Sequence, residues 1–138
     1  MTQPIELKIS LPKIPDIELV AQEGLQRLAS YLGIDDDKIG EARILATEAI
    51  INALEHAGID ELPVDVVFTM TKKKLVIFVR DYGKGFEPDT IEDPDIEKKL
   101  GTDKKRGWGL KLMRTMSDDI TIESDKNGTK ITITKNLE

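Results

Sequence analysis

Glu48 and Asn52 stand four residues apart in LATEAIINALEHA, Leu45 to Ala57, a run made otherwise mostly of Ala, Ile and Leu. A carboxylate can take up a proton, and an amide oxygen can ligate a hard cation. At i and i+4 the two share one face of a helix. An unpaired carboxylate in apolar surroundings is costly, so it is expected to be paired, protonated or part of a site. On a wheel of about 100° per residue, Ala42, Ala46, Ala49, Ile50, Ala53 and Ala57 fall on one arc, small enough to let the helix lie close on a sheet. Glu41, Glu48, Asn52, Glu55 and His56 gather on the other arc, with Ile44 and Leu45 among them. The wheel alone admits a solvated outer face as readily as a site. For Glu41 and Glu55 the solvated face is the preferred reading.

Three further stretches could do chemistry. RDYGKGF, Arg80 to Phe86, follows a predicted strand directly. Asp81 closes that strand, where its carboxylate could accept hydrogen bonds from an exocyclic amine. Gly83 and Gly85 allow close approach of backbone to a ligand. RGWGLKLM, Arg106 to Met113, places Gly107 and Gly109 after the basic run Lys104, Lys105 and Arg106. Free amides at a helix N-terminus suit phosphate. Trp108 between the glycines is a core anchor or a ligand contact, and packing is the favoured reading. NGTKITI, Asn127 to Ile133, is a hairpin signal that carries Thr129 into a strand. Each stretch, taken singly, is also explained by an ordinary turn or a charged loop. The P-loop pattern GxxxxGK[ST] is absent, and neither glycine pair extends to GxGxxG.

The elements that must position these groups follow from periodicity. Ile5 to Leu11 alternates as a half-buried strand. Asp16 is the expected N-cap of a helix to about Leu32, with Leu19, Leu25, Leu28, Ala29 and Leu32 as its apolar side and Gly33 as its stop. Asp35 to Asp37 open a second helix that runs to about Ala57, with Gly58 as its stop. Val64 to Met70 and Leu75 to Asp81 form a hairpin across Thr71 to Lys74. Glu87 to Arg106 is a long charged segment, expected as a functional or disordered loop. Gly107 to Met116 is expected as a helix with Leu110, Leu112, Met113 and Met116 as its apolar set. Ile120 to Ser124 and Thr129 to Lys135 make a second hairpin. The order β-α-α-β-β-loop-α-β-β predicts an α/β two-layer sandwich, a mixed but mostly antiparallel sheet with helices on one face, in one domain over residues 1–138.

Bulk composition narrows the function classes. The 138 residues are 39% hydrophobic, enough for one core and too many for a disordered tail. A net charge of -6 argues against a general nucleic-acid binder. With no cysteine, disulfides and thiolate metal sites are excluded, and the single histidine, His56, excludes a Ser-His-Asp triad elsewhere. No apolar run approaches the roughly 18 residues of a membrane span. A cytoplasmic protein is the expectation.

The motifs become specific through their order. ExxxN on a helix, DxGxGF after a strand, GxG opening a helix and GT entering the last strand resemble the GHKL superfamily of gyrase-type ATPases and sensor histidine kinases. TEAIINALEHA, the basic run before GWGLKLM, and MSDDITIES before NGTKITITK resemble most closely its anti-sigma-factor serine kinases. The resemblance covers nearly the whole chain. It implies a Bergerat-type fold that binds ATP and Mg²⁺ between the helices and a mobile lid. It also implies roles: Glu48 as general base, Asn52 as Mg²⁺ ligand, and Asp81 on the adenine amine with Thr129 in support. Gly83 and Gly85 would lie along the nucleotide. Gly107, Gly109 and the amides that follow, Leu110 included, would cradle phosphates, with Lys104, Lys105 and Arg106 supplying charge. The reaction implied is phosphoryl transfer from ATP to a serine or threonine of an anti-anti-sigma protein, by a homodimer that otherwise sequesters a sigma factor. Two other readings stay open: a nucleotide-gated binding module without transfer, and a domain related to sensor histidine kinase catalytic domains.

Overall fold

The computed structural model describes residues 3–56, 62–83 and 103–138, and side chains there except those of residues 56 and 103–108. Five strands and three helices follow the expected order: β1 (Ile5–Leu11), α1 (Glu18–Leu32), α2 (Asp36–His56), β2 (Val64–Met70), β3 (Lys74–Asp81), α3 (Asp103–Met116), β4 (Asp119–Asp125) and β5 (Gly128–Asn136). The sheet order is β1-β2-β3-β5-β4. Every neighbouring pair is antiparallel, so among the described strands the sheet is antiparallel throughout and not mixed. The crossover through α3 leads to the edge strand β4, and the hairpin back inserts β5 beside β3. No two parallel strands therefore become neighbours.

Alternation decides which side of each central strand meets the helices. Val64, Val66, Phe68 and Met70 of β2 are buried, as are Leu75, Ile77 and Val79 of β3 and Ile131 and Ile133 of β5. Removing each of the larger side chains from water contributes roughly 1.5–3 kcal/mol. The period of two does not stop where the apolar residues do. It carries Asp81 into the same row of β3, and Thr129 and Lys135 into the same row of β5.

The helices complete the core. Ala21, Leu25, Ala29 and Leu32 face it from α1, and Ala42, Ala46, Ala49, Ile50 and Ala53 from α2. Gly33 ends α1 in the left-handed conformation, φ 68°, and its N–H reaches the carbonyls of Ala29 and Ser30. Lys135 ties three elements together. Its Nζ donates to the Met116 carbonyl at the end of α3, 2.9 Å away, and pairs with Glu41 Oε2 on α2 at 2.8 Å.

Several expectations change. Asp16 does not cap α1: it has φ 64°, a value Asp tolerates better than most residues, and Ile17 occupies the N-cap position without a side-chain bond. Leu19 is 48% exposed, because two residues at about 100° each put it nearly opposite the buried Ala21. Leu45, placed by the wheel on the polar arc, is fully buried. Glu41 is ion-paired with Lys135 and not merely solvated. Helix α3 starts at Asp103, four residues before the expected Gly107. Lys, Lys and Arg are good helix formers, and an acidic first residue suits the helix dipole. Ala57, Gly58 and most of the segment from Glu87 to Arg106 lie outside the described residues.

Candidate nucleotide site

Two groups of polar residues stand at the edge of the core, one on α2 and one at the ends of β3 and β5. On α2, Asn52 is 4% exposed and Glu48, one turn earlier, is half-buried. Helix α3 packs on α2 and brings Gly109 against Glu48: a Cβ built on Gly109 would stand 3.1 Å from Glu48 Oε2. The backbone here is thin, and a side chain at 109 would press on the carboxylate. Gly109 and Leu110 are buried, and Leu110 is part of the apolar core.

At the strand ends, Asp81 and Thr129 are cross-strand partners, each 1% exposed. Asp81 Oδ1 accepts the N–H of Gly83 at 3.0 Å, which folds the chain back directly after the strand. Thr129 Oγ1 lies 2.8 Å from Ser124 Oγ, its cross-strand partner on β4. Gly128 is required here: its φ is 132°, and a Cβ would overlap the Asp81 carbonyl oxygen and stand 2.9 Å from Tyr82 Cα. The Tyr82 hydroxyl donates to Asp65 Oδ2, and that bond, with burial, raises its pKa above the usual phenol value. The Arg80 guanidinium lies 4.6 Å above the Tyr82 ring. The turn after β3 is thus held from both sides.

The remaining expected site residues stand as follows. Gly85 lies outside the described residues. Lys104, Lys105, Arg106, Gly107 and Trp108 lie in the first two turns of α3 by backbone, and their side chains are outside the description. Because α3 begins at Asp103, its four free N–H groups belong to residues 103–106 and not to Gly107, Gly109 and Leu110 as expected. Ser124, Gly128 and Tyr82 were not singled out as site residues from the sequence. The two-residue connection between Asp125 and Gly128 would have placed Ser124 opposite Thr129.

Chemically, the set is suited to an adenine nucleotide. A buried carboxylate beside a hydroxyl can accept from an amine and bridge through water. A buried amide on the adjoining helix can offer one oxygen to a cation. Among the described residues no group of three or more His, Cys, Asp or Glu is arranged to hold a metal. A cation at Asn52 would therefore draw its other ligands from phosphates and water, as Mg²⁺ commonly does.

Residues 15–135 match the model of the histidine kinase-like ATPase domain. The chain belongs to that family. Among its relatives are serine-protein kinases RsbW: that of Bacillus velezensis is 31% identical over 140 residues, covering 96% of this chain and 85% of the relative. That of Listeria monocytogenes serotype 4a is 28% identical over 136 residues, covering 94% and 86%. Within the histidine kinase-like ATPases the chain therefore sits among the RsbW-type serine-protein kinases. Solved structures share the fold. The RsbU and RsbW domains of Rv1364c from Mycobacterium tuberculosis superpose with a TM-score of 0.71 at 18% identity, over 96% of this chain and 32% of that one. The SiaB–SiaC complex from Pseudomonas aeruginosa gives 0.63 at 13% identity, over 98% and 91%. Among the described residues no helix is long and apolar enough to cross a membrane.

Proposed function

We propose that this chain is an ATP-dependent protein serine/threonine kinase that transfers a phosphoryl group to a protein partner, with Glu48 as the base. The observation that carries this reading is the placement of Glu48: half-buried, one turn before the buried Asn52, and against the thin backbone of Gly109. A module that only bound nucleotide would have no use for a base there.

The bound nucleotide supplies the phosphoryl group, and its Mg²⁺ neutralises charge as the group passes across. The chain's own residues bind, orient and move one proton. Asp81 accepts from the adenine amine, and Thr129, held by Ser124, supports it through water. Gly83 and Gly85 let the chain run close to the base. Asn52 offers its side-chain oxygen to the cation. The first-turn amides of α3 and the cations of Lys104, Lys105 and Arg106 would hold the phosphates, together with the Gly107, Trp108, Gly109 and Leu110 stretch that follows. Glu48 takes the proton of the acceptor hydroxyl as the bond from its oxygen to the γ-phosphorus forms and the bond from that phosphorus to the β,γ-bridging oxygen breaks, releasing ADP; the hydroxyl must reach Glu48 within hydrogen-bond distance.

The RsbW relatives are named serine-protein kinases, which supports a serine acceptor. By the same likeness the acceptor protein is an anti-anti-sigma protein. The chain, as a homodimer in the cytoplasm, holds a sigma factor when not so engaged. A pull-down with and without ATP, then incubation with labelled ATP, tests the reading. A captured protein should become labelled on serine or threonine, and capture without labelling would leave a binding module.

A further inference from the structure

Glu48 has a second setting. It also lines a cleft of about 340 Å³ between α1 and α2, with Gln22, Gly40, Arg43, Ile44 and Thr47 as the other walls. The cleft is at the small end of binding pockets, the size of a side chain or two rather than a nucleotide.

Its polar lining is poorly matched. Arg43 Nη1 and Nη2 reach only the amide oxygens of Gln26 and Gln22, at 3.5 and 3.4 Å, the outer limit of a hydrogen bond. Arg43 Nε is enclosed and has no hydrogen-bond partner among the described residues. No carboxylate of the described residues pairs with this guanidinium, in a chain carrying 26 acidic residues. A buried guanidinium N–H without an acceptor costs free energy that an incoming carboxylate would return. Gln22 is itself committed, donating to Thr47 Oγ1. Ile44 gives the cleft an apolar wall and is 47% exposed.

We infer that this cleft seats the acceptor segment of the protein substrate, and that Arg43 selects a segment carrying an acidic side chain beside the serine or threonine. Glu48, the proposed base, is among the residues lining the cleft, so the acceptor enters between α1 and α2 while the nucleotide lies on the α3 side. Ile44 covers the flanking residues, and the guanidinium, poorly served by two glutamine oxygens, takes the carboxylate. The inference rests on the kinase reading for its direction, though the cleft can be probed without transfer.

The test uses the full chain and a panel of synthetic serine peptides with Asp or Asn placed at each position flanking the serine. Binding is followed by NMR at the Arg43 Nε–H and the Gln22 and Thr47 amides, with labelled ATP added to the same samples. An Asp peptide should shift those three signals and bind about tenfold tighter than its Asn counterpart. Arg43→Gln should abolish that difference. Equal behaviour of Asp and Asn peptides, shifts confined to other surfaces, or no shift at about millimolar peptide would each overturn the inference. Label transfer indifferent to Arg43 would overturn the cleft and keep the kinase. Charge-selective binding there with no transfer to any bound peptide would keep the cleft and overturn the kinase.

Discussion

A side chain at Gly109 would crowd the carboxylate of Glu48, whose Oε2 stands 3.1 Å from where a Cβ would be. Alanine favours a helix interior over glycine by roughly 0.5–1 kcal/mol. Gly109→Ala is therefore expected to leave the melting temperature unchanged or raised while phosphoryl transfer falls about tenfold or more, since small displacements of a catalytic group are costly. Thermal unfolding beside a transfer assay makes the comparison. Transfer at the native rate would show that Glu48 need not hold this position.

Glu48→Gln keeps size and hydrogen bonding and removes the proposed base. Nucleotide affinity should hold, and transfer should drop by about 10²–10⁴-fold. Calorimetry for binding and single-turnover transfer for chemistry separate the two effects. A variant that transfers like the native chain would remove Glu48 from the reaction.

Asp81→Asn keeps an oxygen to accept from the Gly83 N–H and turns the acceptor pair into one acceptor and one donor. ATP affinity should fall by about 1–3 kcal/mol, the cost of leaving a buried polar group mispaired. Affinity for GTP should fall less. Equal affinities of the native chain for ATP and GTP would count against this residue reading the base.

Gly128 has no tolerable replacement. At φ 132° with a Cβ overlapping the Asp81 carbonyl, Gly128→Ala should destabilise by about 2–4 kcal/mol, beyond the usual range for surface turns. Urea unfolding measures it. A loss below about 0.5 kcal/mol would mean the β4–β5 hairpin can shift away at little cost.

Lys135 holds the Glu41 carboxyl below its ordinary pKa, first through their hydrogen bond and then through charge. A depressed folded-state pKa adds stability that is present above the unfolded value and is lost as pH falls through the folded one. Stability should thus decline on acidification below the ordinary carboxylate range, and Lys135→Met should remove that part of the decline. The variant should also lose about 1 kcal/mol at neutral pH from the unmet Met116 carbonyl. Parallel urea titrations at about pH 7 and about pH 3 decide it: matching pH slopes in the two proteins would discharge the pair from this role.

The strand pattern was legible because it is local. Alternation alone puts Asp81 on the same side as Leu75, Ile77 and Val79, and Gly33 stops α1 as a left-handed glycine should. The helices were harder, because a wheel assumes one covering layer. Leu45 shares an arc with Glu48 and Asn52, yet it is buried, since α2 is covered by the sheet on one side and approached by α3 on another. The Glu41–Lys135 pair joins residues 94 positions apart, and the glutamines around Arg43 come from another helix. Neither is visible in any single window of sequence. The start of α3 was misjudged because glycines were read as an opening, while the helix-forming basic run ahead of them extends it.

Lys135 grips α3 by its last carbonyl, at Met116, while Gly109 leans on Glu48 seven residues earlier. At about 1.5 Å per residue that is an arm of about 10 Å. A tilt of about 10° around the gripped end would carry Gly109 nearly 2 Å, by the same geometry. Such a step is wider than the slack at the carboxylate. Helix α3 is in mechanical terms a lever, with its fulcrum at the Lys135 grip and its short stroke delivered at Glu48, the proposed base.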